Sequence, residues 1–302
     1  MKNERPSGAN GAKTRREFME ETALFTAAAA VAAGSPAQAS PPQGASPSPA
    51  ALPTIRIGTL EVSRLILGSN PFYGFSHEPE DNRQMKAWYT DLRIMEVLNR
   101  AADAGITAVA SPPYDRWIRL FEKYLQGGGR LRTWIAQPDP AGVEEMSQAI
   151  EAAAKGGAKA IFIQGQRTDA QFGAGRFEVL RRWIDQIRGF GLPAGLASHR
   201  PDVHLEIERR KLPTDFYFQC FYNPGRYDPE DRDKAVAAIR QIDKPVVGYK
   251  ICAAGRKPAR EGLAFALAHL RPTDGLCVGV FPPKKEDMIE ENAGMVRERS
   301  PR

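Results

Sequence analysis

A lysine at the end of an apolar strand is costly unless it has a partner or a task. Residues 245–256, Pro-Val-Val-Gly-Tyr-Lys-Ile-Cys-Ala-Ala-Gly-Arg, place one there. The run through Val246 and Val247 reads as a buried strand that ends in Tyr249 and Lys250. Desolvation, with Arg256 nearby, would favour a neutral Lys250 amine, able to act as a base or to form a Schiff base with a carbonyl. As a cation it could instead acidify a neighbouring phenol. The plainer alternative is a lysine that snorkels off an apolar wall or pairs with an acid. Arg256 follows the small-residue turn Ala253-Ala254-Gly255 and opens a helix. Helix N–H groups and a guanidinium together suit an anion, and a surface ion pair is the alternative.

Tyr114, in Ser-Pro-Pro-Tyr-Asp, is a candidate general acid only if a cation such as Lys250 lowers its pKa from about 10. His199 closes an apolar run, Ala197-Ser198-His199, where it could meet a cofactor, a substrate or a metal. Asn70 and His77 lie in a long loop after the first strand, of a length that often forms a lid. His204 and His269 fall inside helical patterns and read as packing or surface residues. No HxH or HxxxH spacing is present, so the sequence argues against a metal site. Cys220, Cys252 and Cys277 lie in apolar runs without CxxC spacing and read as buried free thiols.

The elements that must position these residues alternate. Apolar, strand-type runs recur at 64–69, 107–111, 132–137, 159–164, 193–198, 215–221, 245–251 and 275–281. Charged-faced helical patterns stand near 90–104, 115–126, 142–155, 174–190, 202–211, 229–241, 258–270 and 284–297. Residues 54–62 read as a small hairpin turning at Gly58-Thr59. Eight strand–helix pairs predict an α/β fold, a (β/α)8 TIM barrel over residues 54–302, preceded by that hairpin. The rival, an open doubly wound sheet, usually carries a Gly-rich phosphate turn after its first strand, and here that strand runs into Gly68-Ser69-Asn70-Pro71. In a barrel, chemistry sits where strands end.

The 302 residues carry 42 basic and 36 acidic side chains, a net charge of +6. That near balance, without an aromatic-interleaved basic run, argues against a nucleic-acid partner. The N-terminus reads as an address. Thr14-Arg15-Arg16-Glu17-Phe18 and the Ala-rich run 23–33 precede Ala37-Gln38-Ala39. This resembles a twin-arginine signal over residues 1–39, followed by a disordered Pro/Ser/Ala-rich linker over 40–53. The expected partner is the twin-arginine export machinery, and the expected location is periplasmic or extracellular. The apolar run is too short for a stable membrane span.

The strand ends resemble the aldo/keto reductase superfamily over nearly the whole chain after the linker. Residues 57–68 look like that family's hairpin and first strand, Ala197-Ser198-His199 like its carboxamide-holding segment, and Phe218 to Pro224 like its Asn-Gln-x-x-Tyr-Asn-Pro strand. The resemblance implies a nicotinamide cofactor, NADP or NAD. Ser198, His199 and Gln219 would meet its carboxamide, Tyr249 would stack on its ring, and Lys284 and Asn292 would hold its adenosine end. It implies an Asp–Tyr–Lys–His tetrad, from which this sequence departs. Ala110 stands at the aspartate position, Tyr114 lies one residue short of the tyrosine, Gln137 stands close to the lysine, and Gln164 replaces the histidine. The expected function is an exported barrel enzyme acting on a small carbonyl or sugar-like substrate. The alternatives are a non-redox lyase, aldolase or isomerase using Lys250 with Arg256 as anion holder, and a binding barrel without catalysis.

Overall fold

The computed structural model describes residues 51–76 and 78–300. The expected signal segment 1–39, the expected linker as far as residue 50, and His77 lie outside the described residues. β1 (Thr54–Ile57) and β2 (Leu60–Ser63) form the hairpin, Ile57 opposite Leu60, with Gly58 at φ 59° in the turn. A Cβ on Gly58 would meet Pro193 at 2.9 Å, so both conformation and space require glycine.

Eight parallel strands then close a barrel: β3 (Leu65–Gly68), β4 (Ala108–Ser111), β5 (Thr133–Ala136), β6 (Ala160–Ile163), β7 (Ala194–Ser198), β8 (Phe216–Cys220), β9 (Val246–Tyr249) and β10 (Gly275–Gly279), with β10 pairing back onto β3. The expected TIM barrel with its leading hairpin is the observed fold. Parallel strands covered on both faces read as continuous apolar runs, which is why the eight segments stand out in the sequence.

The connections are helical: α1 (Pro79–Trp88), α2 (Asp91–Asp103), α3 (Asp115–Gln126), α4 (Val143–Lys155), α5 (Gly165–Gly173), α6 (Phe177–Gly189), α7 (Pro201–Arg209), α8 (Pro229–Ile239), α9 (Ala259–His269) and α10 (Met288–Arg299). Pro79, Pro201 and Pro229 each open a helix, where a missing N–H costs nothing. Two helices have no counterpart in the sequence reading, α1 and α5. α1 buries only Met85, and α5 buries Gly165, Thr168 and Gln171, so neither shows an apolar period.

Side chains alternate between two cores. Ile66, Ala108, Ala110, Ile135, Phe162, Phe218 and Val247 fill the barrel interior, and Ile55, Ile57 and Val62 of the hairpin plug it from the N-terminal end. Tyr217, Leu196 and Val246 face the helices, with Trp117, Trp134 and Trp183 packed fully buried among them. At the plugged end Arg64 is buried and donates to the Asp274 carbonyl at 3.0 Å, the Arg271 carbonyl at 3.0 Å and Ser300 Oγ at 2.8 Å. Burial pulls its pKa down, Asp274 acting in the opposite direction. Among the described residues no helix is long and apolar enough to cross a membrane.

Candidate active site

With the hairpin closing one end, the open end is the C-terminal mouth, and it holds a cavity of about 410 Å³. That size falls within the roughly 300–1,000 Å³ of small-molecule sites. Every barrel strand contributes to its wall through its last residues or the loop that follows. The floor is aromatic: Phe162 and Phe218 stack at 3.9 Å, and the Tyr249 ring stands beside them.

Strand β7 delivers His199 to this wall, and α5 fixes its direction. Asp169, one turn into α5, accepts from the His199 Nδ1 at 2.9 Å and from the His199 backbone N–H at 3.1 Å, and also receives the Ser198 hydroxyl. Gly165 opens α5 against the same ring. A Cβ there would fall 3.0 Å from His199 Cε1 and 2.9 Å from the Tyr249 hydroxyl. Tyr249 donates to the Ser198 carbonyl at 3.2 Å, and burial drives its phenol well above the ordinary range.

Lys250 follows on the same wall, and burial lowers its pKa. Its backbone is left-handed, φ 53°, as are Ala253 at 49° and Ala254 at 56°. Three non-glycine residues in that region within five positions is a concentration of backbone strain, the kind that gathers at functional sites. Burial pushes Cys220, Cys252 and Cys277 each up to about 12, and all three are free thiols; Cys252 and Cys277 are only partly buried, less than the sequence suggested. Among the described residues no group of three or more His, Cys, Asp or Glu is placed to hold a metal.

The cavity gathers Asn70, His199, Tyr249, Lys250, Lys284 and Asn292 from the residues singled out in the sequence. Others stand elsewhere. Gln219 faces the helix layer with Tyr217, because Phe216 and Phe218 alternate with them into the interior; it lies against His204, and its Nε2 donates to the Cys220 carbonyl at 3.0 Å. Ser198 lies behind the wall, on Asp169. Tyr114 caps α3 and donates to Asp139 at 2.7 Å. Burial and that carboxylate raise its pKa, while the charges acting on it are Asp139, Tyr73 and Arg167 rather than Lys250. Arg256 turns to Glu78 and lies 4.0 Å over the Tyr227 ring. Lys284 pairs with Asp81 at 2.6 Å. The segment from Phe75 to Met85, which supplies part of the wall, is thus tied to the loops after β9 and β10 by two ion pairs.

Sequence reading passed over Asp169. It lies in Gly-Gln-Arg-Thr-Asp-Ala-Gln-Phe-Gly, which shows neither an apolar period nor a motif. Two other wall groups are buried oxygens without partners, Ser69 Oγ and Asn292 Oδ1.

Comparison with known proteins agrees at the level of architecture. No protein-family model matches the sequence, and no curated protein matches it. Among solved structures, the chain is similar to a candidate aldo-keto reductase from Pseudomonas aeruginosa, with a TM-score of 0.57 at 17% identity over 82% of this chain and 95% of that one. It is similar to a candidate 2,5-diketo-D-gluconic acid reductase B, with a TM-score of 0.51 at 11% identity over 82% and 91%. It is equally similar to a truncated 3-deoxy-D-arabino-heptulosonate 7-phosphate synthase from Thermotoga maritima, with a TM-score of 0.51 at 12% identity over 82% and 91%. What is shared is the barrel. A reductase fold and a synthase fold match it alike, so the chemistry has to be argued from the mouth.

Proposed function

We propose that this chain is a barrel enzyme acting on a small carbonyl or sugar-like compound in the mouth, with a nicotinamide dinucleotide as its hydride partner. The observation that carries this reading is the cavity wall. It combines an aromatic floor with the unpartnered buried oxygens of Ser69 and Asn292. An unpartnered buried oxygen costs about 1–3 kcal/mol, which a ligand donor group would offset. The residues present fit such a cofactor. Tyr249 would meet its ring, Asn292 would accept from an amino group, and Lys284 would face its phosphates. When bound it would supply hydride to a carbonyl carbon. The chain's own residues would orient the carbonyl beside His199 and Lys250, and Phe75, Ser76, Asp81 and Met85 supply part of the surrounding wall. Titration with NADPH and NADH, followed by tryptophan fluorescence, is expected to saturate. No saturable change up to millimolar cofactor would sink the reading.

A second reading rests on Lys250, whose place on the wall and lowered pKa favour amine chemistry with a carbonyl. Borohydride trapping with glyceraldehyde, followed by mass spectrometry, should then mark Lys250; an adduct elsewhere, or none, counts against it. We also propose export by the twin-arginine route. Changing Arg15 and Arg16 to lysine is expected to retain the protein in the cytoplasm, and unchanged export would refute that assignment.

A further inference from the structure

We propose that His199 is the proton-transferring residue of the mouth and that Asp169 is its positioning residue. The inference rests on the reading of the mouth as a carbonyl-reducing site. Three features of the fold converge on one ring. β7 brings His199 to the wall, Gly165 lets α5 pack against it, and Asp169 accepts at Nδ1 over 2.9 Å. A carboxylate can only accept, so Nδ1 carries the proton in the neutral ring and Nε2 keeps its lone pair. The ring's hydrogen bond to Asp169 is made at Nδ1, and the ring itself lines the cavity, which leaves Nε2 as the nitrogen available to a ligand there.

The competing phenols are committed. Tyr249 donates to the Ser198 carbonyl, and Tyr114 donates to Asp139 outside the cavity wall. Burial makes both harder to ionise. Imidazole exchanges protons near neutral pH, where a phenol of that kind does not. The second carboxylate oxygen of Asp169 is anchored by Ser198, whose Oγ also accepts from the Arg200 N–H at 2.9 Å, so the couple is held from behind.

In the reductive direction, a nicotinamide held in the mouth would supply the hydride for the new C–H bond at the carbonyl carbon and would itself be oxidised. The carbonyl π pair moves to oxygen, and the imidazolium Nε2–H bond breaks as the O–H bond forms. The proton transfer leaves an alcohol and a neutral imidazole, which regains its proton from water. Asp169 stabilises the imidazolium before transfer and keeps Nδ1 protonated after it.

The test uses the protein without its signal segment. Long-range ¹H–¹⁵N spectra of the ligand-free protein are expected to show His199 as the Nδ1–H tautomer, and Asp169→Ala to move it to Nε2–H. NADPH oxidation is then followed with glyceraldehyde and 4-nitrobenzaldehyde across the neutral pH range. His199→Gln and His199→Asn are expected to lower kcat at least about 100-fold, well beyond any loss of NADPH affinity, which is measured separately by fluorescence titration. Asp169→Asn is expected to lower kcat about 10-fold and to displace the pH profile. An Nε2–H tautomer in the unaltered protein overturns the proposal, as does a wild-type kcat and pH profile in His199→Gln. Loss of turnover in Tyr114→Phe with His199→Gln still active overturns it too. Saturable NADPH binding with no turnover of either probe removes the proton-transfer role and leaves the cofactor reading standing. Absence of NADPH binding removes that reading itself.

Discussion

Acid should weaken this barrel through one histidine that takes no part in the mouth. His204 on α7 is fully buried between Tyr217, whose ring centroid lies 4.4 Å away, and Gln219. Burial drives its pKa from 6.5 down to about 4, against the opposing pull of the Asp169 charge and of the neighbouring Gln219 side chain and Leu196 backbone. Because the folded pKa lies below the unfolded one, the unfolded chain binds the extra proton. The stabilising contribution is complete above about pH 6.5 and is lost as pH falls toward about 4. Linkage puts the loss between pH 7 and pH 4.5 at about 2.4 kcal/mol, a large share of a typical 5–15 kcal/mol. Carboxylates titrate in the same range, so the measurement is a difference. Urea unfolding of the unaltered protein and His204→Leu, followed by circular dichroism at both pH values, should show their stability gap changing by about 2 kcal/mol in favour of the variant at low pH. A gap that stays constant within about 0.5 kcal/mol would refute the reasoning.

Three further outcomes are expected. Gly165→Ala pushes a methyl group into the Tyr249 hydroxyl and His199, so NADPH affinity in a fluorescence titration should fall about tenfold or more while thermal unfolding moves little. Ala254→Gly relieves a left-handed alanine and should raise urea stability by roughly 0.5–1 kcal/mol, the difference between the steric penalty and glycine's extra chain entropy. Arg64→Leu strips donors from buried carbonyls at the plugged end and should cost about 3 kcal/mol or more in the same assay.

The barrel was legible because eight apolar runs, each four to five residues long once formed, are punctuated by glycine and proline and separated by amphipathic helices. The direction of individual side chains was less so. In Phe-Tyr-Phe-Gln-Cys both faces of the strand are buried, so the sequence does not mark which face Gln219 takes. Tyr114 follows two prolines into a helix cap, where Asp139 of the next loop claims it, a partner 25 residues away. The His199–Asp169 couple spans 30 residues and depends on a helix whose buried face is polar, so no periodicity announces it. Lys250, His199 and Tyr249 could be singled out because each ends a strand, a position that barrel topology alone makes meaningful.

The two ion pairs on the Phe75–Met85 segment have a consequence for what the mouth admits. Both are solvent-exposed, so each is worth about 0–1 kcal/mol and weakens with salt. They act as a shallow latch. Lys284 already faces a carboxylate, so an arriving phosphate competes with Asp81, an anion the chain itself supplies. Binding and unlatching then become a single exchange in which one negative charge replaces another and the local field hardly changes. At about 0–1 kcal/mol apiece the two pairs open and close thermally, so replacing Asp81 beside Lys284 by a ligand phosphate would cost little.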